Sequence, residues 1–287
     1  MDLLSFFIQT LNAVQYGLLL FLVASGLTLI FGIMGVINLA HGSFYMVGAY
    51  MAFALSAKTG NFFTAVLLGI PLAAALGAAL EWGLFRHLYK RIHLEQVLLT
   101  YGLILVFEEL RSLALGDDVH GVAVPEIFSA SLKLSETLSY PVYRLVISAV
   151  CIALAVGLYL LIHRTRVGMM IRAGNHDRDM VEALGIDINR IYLVVFALGV
   201  TLAAFAGMIA APVSSVFPGM GNHVLILSFV IVVIGGIGSV WGALVAALII
   251  GFADTFGKVL VPDFAGLAVY LVMAVVLLWR PEGIFKS

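Results

Sequence analysis

Uncharged apolar stretches longer than ~20 residues recur along most of this 287-residue chain, and each is long enough as a helix to cross a ~30 Å hydrocarbon layer. Apolar runs, most of them able to span, occupy positions 6–33, 36–57, 62–85, 96–115, 141–162, 191–213, 224–240, 243–260 and 264–279. In lipid only a helix satisfies the backbone hydrogen bonds of a lone spanning segment, so the pattern predicts an all-α integral membrane protein. The expected architecture is a polytopic helical bundle of eight or nine transmembrane segments in one membrane domain covering 1–287. Composition agrees: 63% of the residues are hydrophobic and 11% charged, against roughly 25% charged in soluble domains. A net charge of −1 leaves no excess of cations for neutralising phosphates and argues against a nucleic-acid partner. The lone Cys151 forms neither a disulfide framework nor a cysteine metal cluster, and its apolar surroundings point to packing.

Basic residues set the expected sidedness. Arg86, Lys90 and Arg91 share one short loop; Arg164, Arg166, Arg172, Arg178 and Arg190 share another; Arg280 and Lys286 lie at the end. These regions are expected on the cytoplasmic side. The alternate loops carry Lys58 alone and, over 116–139, Asp117, Asp118, Glu126 and Glu136 against Lys133, and are expected outside. Alternation then puts the N-terminus outside and the C-terminus inside if all nine runs cross. No Lys or Arg precedes Lys58, so the positive region of a cleavable signal is missing and the first span is expected to be retained.

Glycine-rich breaks at 32–42 and 235–242 interrupt paired apolar runs, and GVINLAHG and GGIGSVWG have equally spaced end glycines. The likeness suggests an internal repeat with discontinuous helices around a pathway; the competing reading is that small residues only allow close helix packing. Asn38, His41 and Ser43 are polar groups in an apolar region, where they either line a solute path or hydrogen-bond neighbouring helices. Together with Gly235, Gly236, Gly238 and Ser239 they are the pathway candidates. His41 has no metal-ligand neighbour at useful spacing, so no metal site is expected. Asp254 and Lys258 stand i,i+4, and Glu108 and Arg111 i,i+3; both pairs are read first as local ion pairs near outer helix ends.

The segment 164–190, RTRVGMMIRAGNHDRDMVEALGIDINR, combines a cytoplasmic expectation with a helical pattern over 173–184. Met180, Ala183 and Leu184 offer an apolar side, Asp177, Arg178, Asp179 and Glu182 a charged one, and Gly185 a stop. Patterning alone allows either a docking helix or a solvated connection.

Three stretches in this order, GVINLAHGSFYMVGAYMA, RAGNHDRDMVEALGI and VVIGGIGSVWGALVAALIIGFAD, resemble branched-chain amino-acid ABC permeases of the LivH type. The resemblance implies a multi-pass subunit of the bacterial cytoplasmic (inner) membrane. Its implied partners are a second related permease, two cytoplasmic ATPases and an extracytoplasmic binding protein. It assigns Ala173, Asp177, Glu182 and Gly185, within a stretch reaching Ile186, to a segment contacting an ATPase, and Asn38 and His41 to the early membrane motif. Gly174-Asn175-His176 and Asp179 depart from the expected pattern there. Related permeases serve branched-chain amino acids, urea, amides and other small carboxylates.

No ATP-hydrolysing centre is expected in the chain. Positions 251–259 superficially resemble a phosphate loop but have the wrong spacing, with Val259 after the lysine. No HExxH or GxSxG motif is present. The resemblance therefore implies that ATP and magnesium are bound by the partner ATPases, with no cofactor on this chain. A stand-alone secondary transporter or channel for a small solute is the competing function, since glycine-broken helices serve either mechanism.

Overall fold

The computed structural model describes residues 3–89, 91–133 and 139–285, apart from the side chains at 175, 176, 178, 179 and 265. Lys90, Glu136 and Lys286, used in the charge argument, lie outside the described residues, as do the side chains of Asn175, His176, Arg178 and Asp179.

Among the described residues eleven α-helices run in chain order: α1 Leu3–Met34, α2 His41–Thr59, α3 Phe62–Gly83, α4 His93–Leu115, α5 Val142–Arg164, α6 Arg166–His176, α7 Arg178–Ala183, α8 Ile188–Ala210, α9 Met220–Gly235, α10 Val240–Leu260 and α11 Ala265–Trp279. Among the described residues α1, α5, α8, α10 and the stretch 62–87 are long and apolar enough to cross a membrane, while α9 and α11 are shorter apolar helices. The chain is an all-α bundle built for a membrane.

Burial sorts the helices into layers. The middle of α1 is enclosed from Leu18 to Ile30, and α1 packs against α10, α8, α5 and α9. The outer helices α3, α4, α5 and α11 instead turn large apolar side chains outward, among them Leu67, Leu105, Val156 and Leu271. In water such a surface would be a continuous aggregation liability; against lipid it is the matched face.

Close helix contact rests on small residues. A Cβ at Gly77 would meet the Ala197 Cα at 2.9 Å, and one at Gly69 would meet the Met208 side chain at 2.7 Å, so α3 and α8 run antiparallel with little between them. Tyr143 Oη donates to the Ile209 carbonyl at 2.9 Å, tying the start of α5 to the end of α8.

Both predicted breaks separate helices. Gly35, at φ 64°, ends α1, and residues 36–40 return as irregular chain with Val36, Asn38 and Ala40 buried. The Asn38 Oδ1 accepts from the Ala40 N–H at 3.1 Å, giving this buried backbone a partner. The second break runs through Gly236 and Gly238, also at positive φ, before Ser239 Oγ caps α10 by accepting from the Gly242 N–H at 3.0 Å. The breaks adjoin: a Cβ at Gly32 would meet the Gly238 Cα at 2.7 Å.

The loop after α4 departs from a purely helical picture. Ser131–Lys133 pairs antiparallel with Ser139–Pro141, and His120 bridges Val216. This hairpin is too short and too exposed to leave an alternating apolar pattern in sequence.

Candidate functional site

At the end of the bundle that holds the hairpin lies a cavity of about 450 Å³, open on one side. It is formed by the first half of α1, the first turns of α5 and α9, the chain after α8 and the last turns of α10. Its volume falls in the range of small-molecule sites. Leu19, Val213, Phe217, Met220 and Val224 supply an apolar wall.

Much of the polar lining comes from α1, which carries Gln9, Asn12, Gln15 and Tyr16 on the same helical face as Leu19. Asn12 links two neighbours, donating from Nδ2 to Gln9 Oε1 at 3.1 Å and accepting at Oδ1 from Arg144 Nη1 at 2.6 Å. Asp254 and Lys258 form the expected i,i+4 pair at 2.6 Å, and the ammonium lies 5.6 Å from the centre of the Tyr16 ring. Asp254 is buried while Lys258 is mostly exposed. Asp254 thus has its local partner and also lines the cavity.

The pathway candidates from sequence lie elsewhere. Asn38, His41 and Ser43 are buried at the start of α2 and do not line this cavity. His41 Nε2 lies 2.9 Å from the Val23 carbonyl; a carbonyl only accepts, so Nε2 carries the proton. Asn38 Nδ2 and His41 Nδ1 are buried without partners among the described residues. Gly235, Gly236, Gly238 and Ser239 sit at the second break, where the Ile284 N–H donates to the Ile234 carbonyl at 2.8 Å and the Phe285 N–H to that of Gly235 at 3.3 Å.

The segment 164–190 is two helices, which corrects the single helix expected over 173–184. Asp177 takes an extended backbone and its Oδ1 accepts from the Met180 N–H at 3.0 Å, so it caps α7 and breaks α6. Thr165 caps α6, and Arg172 donates to the Ile162 carbonyl at the end of α5. Gly185, at φ 79°, closes α7, with its N–H donating to the Glu182 carbonyl and that of Ile186 to the Val181 carbonyl. Ala173, Asp177 and Glu182 are exposed and Ile186 is half-buried. Met180 and Leu184 are 57% and 71% exposed, leaving an uncovered apolar patch.

Elsewhere, Glu108 pairs with Arg111 at 3.2 Å as expected, and Arg111 also reaches Asp117 at 2.8 Å. Positions 251–259 lie wholly inside α10, with no loop to cradle a phosphate. Among the described residues no group of three or more His, Cys, Asp or Glu is arranged to hold a metal ion, and Cys151 is buried in α5.

The profile of the family described as branched-chain amino acid transport system / permease component matches residues 9–278. The chain is 31% identical to the high-affinity branched-chain amino acid transport system permease protein BraD of Pseudomonas aeruginosa, covering 96% of this chain and 94% of BraD. It is 30% identical to the corresponding LivH protein of Escherichia coli, covering 98% and 96%. Among solved structures, PsaBC from Streptococcus pneumoniae in complex with Fab matches in fold, with a TM-score of 0.50, 15% identity and coverage of 93% of this chain and 89% of that one. A family match over residues 9–278 and a helical membrane bundle agree: this chain belongs to the family of branched-chain amino acid transport system permease components.

Proposed function

We propose that this chain is the membrane-spanning permease subunit of an ABC importer in a bacterial cytoplasmic membrane, moving branched-chain amino acids or related small polar solutes inward. The observation that carries the reading is the placement of two features at opposite ends of one helix. The start of α5 contributes Arg144 to the polar cavity, and its end is joined by Arg172 to the exposed pair α6–α7. A solute opening and a docking platform are thereby linked through one rod. Under the basic-loop rule the platform is cytoplasmic and the loop 116–139 is external, with eight or nine crossings and an external N-terminus if all nine runs cross.

In this reading an external binding protein delivers solute to the cavity, and two ATPases that bind ATP and magnesium engage Ala173, Asp177, Arg178, Glu182, Gly185 and Ile186. A second permease completes the path. That path continues past Asn38, His41 and Ser43 and the break at Gly235, Gly236, Gly238 and Ser239, which must part for solute to leave. Coupling requires that the ATPases hold the inward-open and outward-open states with different free energies.

The test is reconstitution in liposomes with the candidate partners, omitting each in turn, with uptake measured over amino acids, urea and small carboxylates. Uptake that needs ATP, both ATPases and the binding protein is expected. Gradient-driven uptake by this chain alone would replace the reading with a secondary carrier.

A further inference from the structure

The cavity holds a cation that has no carboxylate partner among the described residues. Arg144 sits in the first turn of α5, half-buried, and its guanidinium is held by two neutral groups, the Asn12 amide oxygen and the Tyr140 hydroxyl. Among the described residues it forms no ion pair, whereas Lys258, the cavity's other permanent cation, is paired to Asp254. A guanidinium offers five donors in a planar fork suited to a carboxylate, and two neutral acceptors use a fraction of that capacity.

The backbone around it has the same sign. α5 begins after Pro141 and α9 after Gly219, each without a side-chain cap; the Val142 N–H donates to the Ala130 carbonyl and that of Met220 to the Phe217 carbonyl, and the positive dipole ends of both helices lie at this cavity. A cation at a helix N-terminus is normally unfavourable; placed there beside a second uncapped terminus, it makes a strongly anion-seeking corner. Counting Arg144, Lys258 and Asp254, the cavity is net positive, which disfavours an amine and favours a carboxylate.

We infer that Arg144, positioned by Asn12, receives the carboxylate of the transported solute, so that the permease itself carries a recognition subsite for carboxylate-bearing solutes over neutral amides and amines. The inference rests on the proposed transport reading. The apolar wall from Leu19 to Val224 takes the solute's side chain.

The experiment uses the complete purified transporter. Binding of radiolabelled L-leucine is measured without the binding protein, in competition with 4-methylpentanoate, leucinamide and isoamylamine. The carboxylate is expected to compete and the amide and amine to fail; Arg144→Gln should weaken binding at least about tenfold, with Arg144→Lys in between. At saturating loaded binding protein, Arg144→Gln should lower uptake without changing the binding-protein concentration that half-saturates ATP hydrolysis. A change in that concentration alone would make Arg144 a docking residue for the binding protein and overturn the inference, as would equal competition by all three analogues. Wild-type complex that shows no ATP-dependent uptake would sink the transport reading, whereas wild-type uptake matched by Arg144→Gln would sink only this subsite.

Discussion

His41 donates from Nε2 to the carbonyl of Val23 at 2.9 Å, joining the first residue of α2 to the middle of α1. Val23 lies about three helical turns before the end of α1, so α2 starts well inside the bundle and residues 35–40 climb back to reach that depth. The bond holds this return in place. His41→Ala removes it and leaves a void, and is expected to lower stability by about 1–3 kcal/mol; His41→Gln keeps an N–H donor and should recover part. Unfolding in mixed micelles measures both. An unchanged unfolding midpoint for His41→Ala, with uptake abolished, would move His41 from support to solute path.

Gly48 tests the small-residue packing. A Cβ there would run into the Ala204 backbone, because α2 and α8 touch with no side chain between them. Gly48→Leu must push the two helices apart, and overpacking of this kind costs about 3 kcal/mol or more when backbone is the obstacle. The expected outcome is loss of monodisperse protein after detergent extraction. Gly157→Ala is the control, since nothing lies within 4 Å of a Cβ at that position of α5; it should be neutral or stabilising by about 0.5–1 kcal/mol.

The bundle was legible in sequence because hydropathy belongs to each segment by itself: the nine apolar runs fall in order on α1 to α5 and α8 to α11. The breaks were legible for the same reason, as Gly35, Gly236 and Gly238 take positive φ. The cavity was not. Asn12 and Arg144 meet across 132 positions of chain, a proximity created only by helix packing. The polar face Gln9, Asn12, Gln15 was the one available signal, a helical spacing of amides in an apolar run. The single helix expected over 173–184 failed at Asp177, because a short acidic side chain that accepts a backbone N–H three residues on favours a cap over a helix interior.

Asp117 gives a pH prediction. Hydrogen bonds from Arg111 and then Ser112 hold its carboxyl below the ordinary value of 3.8, so folding favours the charged form. The loop contact is complete at neutral pH and is lost as pH falls below 3.8 and through the lowered folded value. Hydrogen exchange over residues 116–125 should be protected at pH 7 and deprotected in this acid range. Asp117→Asn should show the deprotected pattern already at pH 7. Identical exchange in the variant and the wild type would show that the Arg111 contact does not order the loop.

Met180 and Leu184 present apolar surface next to the charged Glu182, on a two-turn segment fixed by the Asp177 cap and the Gly185 stop. A patch this small is unremarkable on a soluble protein, but here it sits on the segment proposed to dock an ATPase. If an ATPase covers it, Leu184→Glu places a charge in that contact. The same substitution leaves the free chain alone, since changes at exposed positions are usually within about 0.5 kcal/mol. The expected result is a variant that unfolds like the wild type in micelles and still binds L-leucine, but fails to retain the ATPases on co-purification. Asp177→Ala should act by a different route, weakening α7 by about 1 kcal/mol through loss of its cap and reducing ATPase retention partially. Full retention by Leu184→Glu would remove α7 from the contact and leave α6 as the platform, because α6 alone would then remain joined to α5 through Arg172.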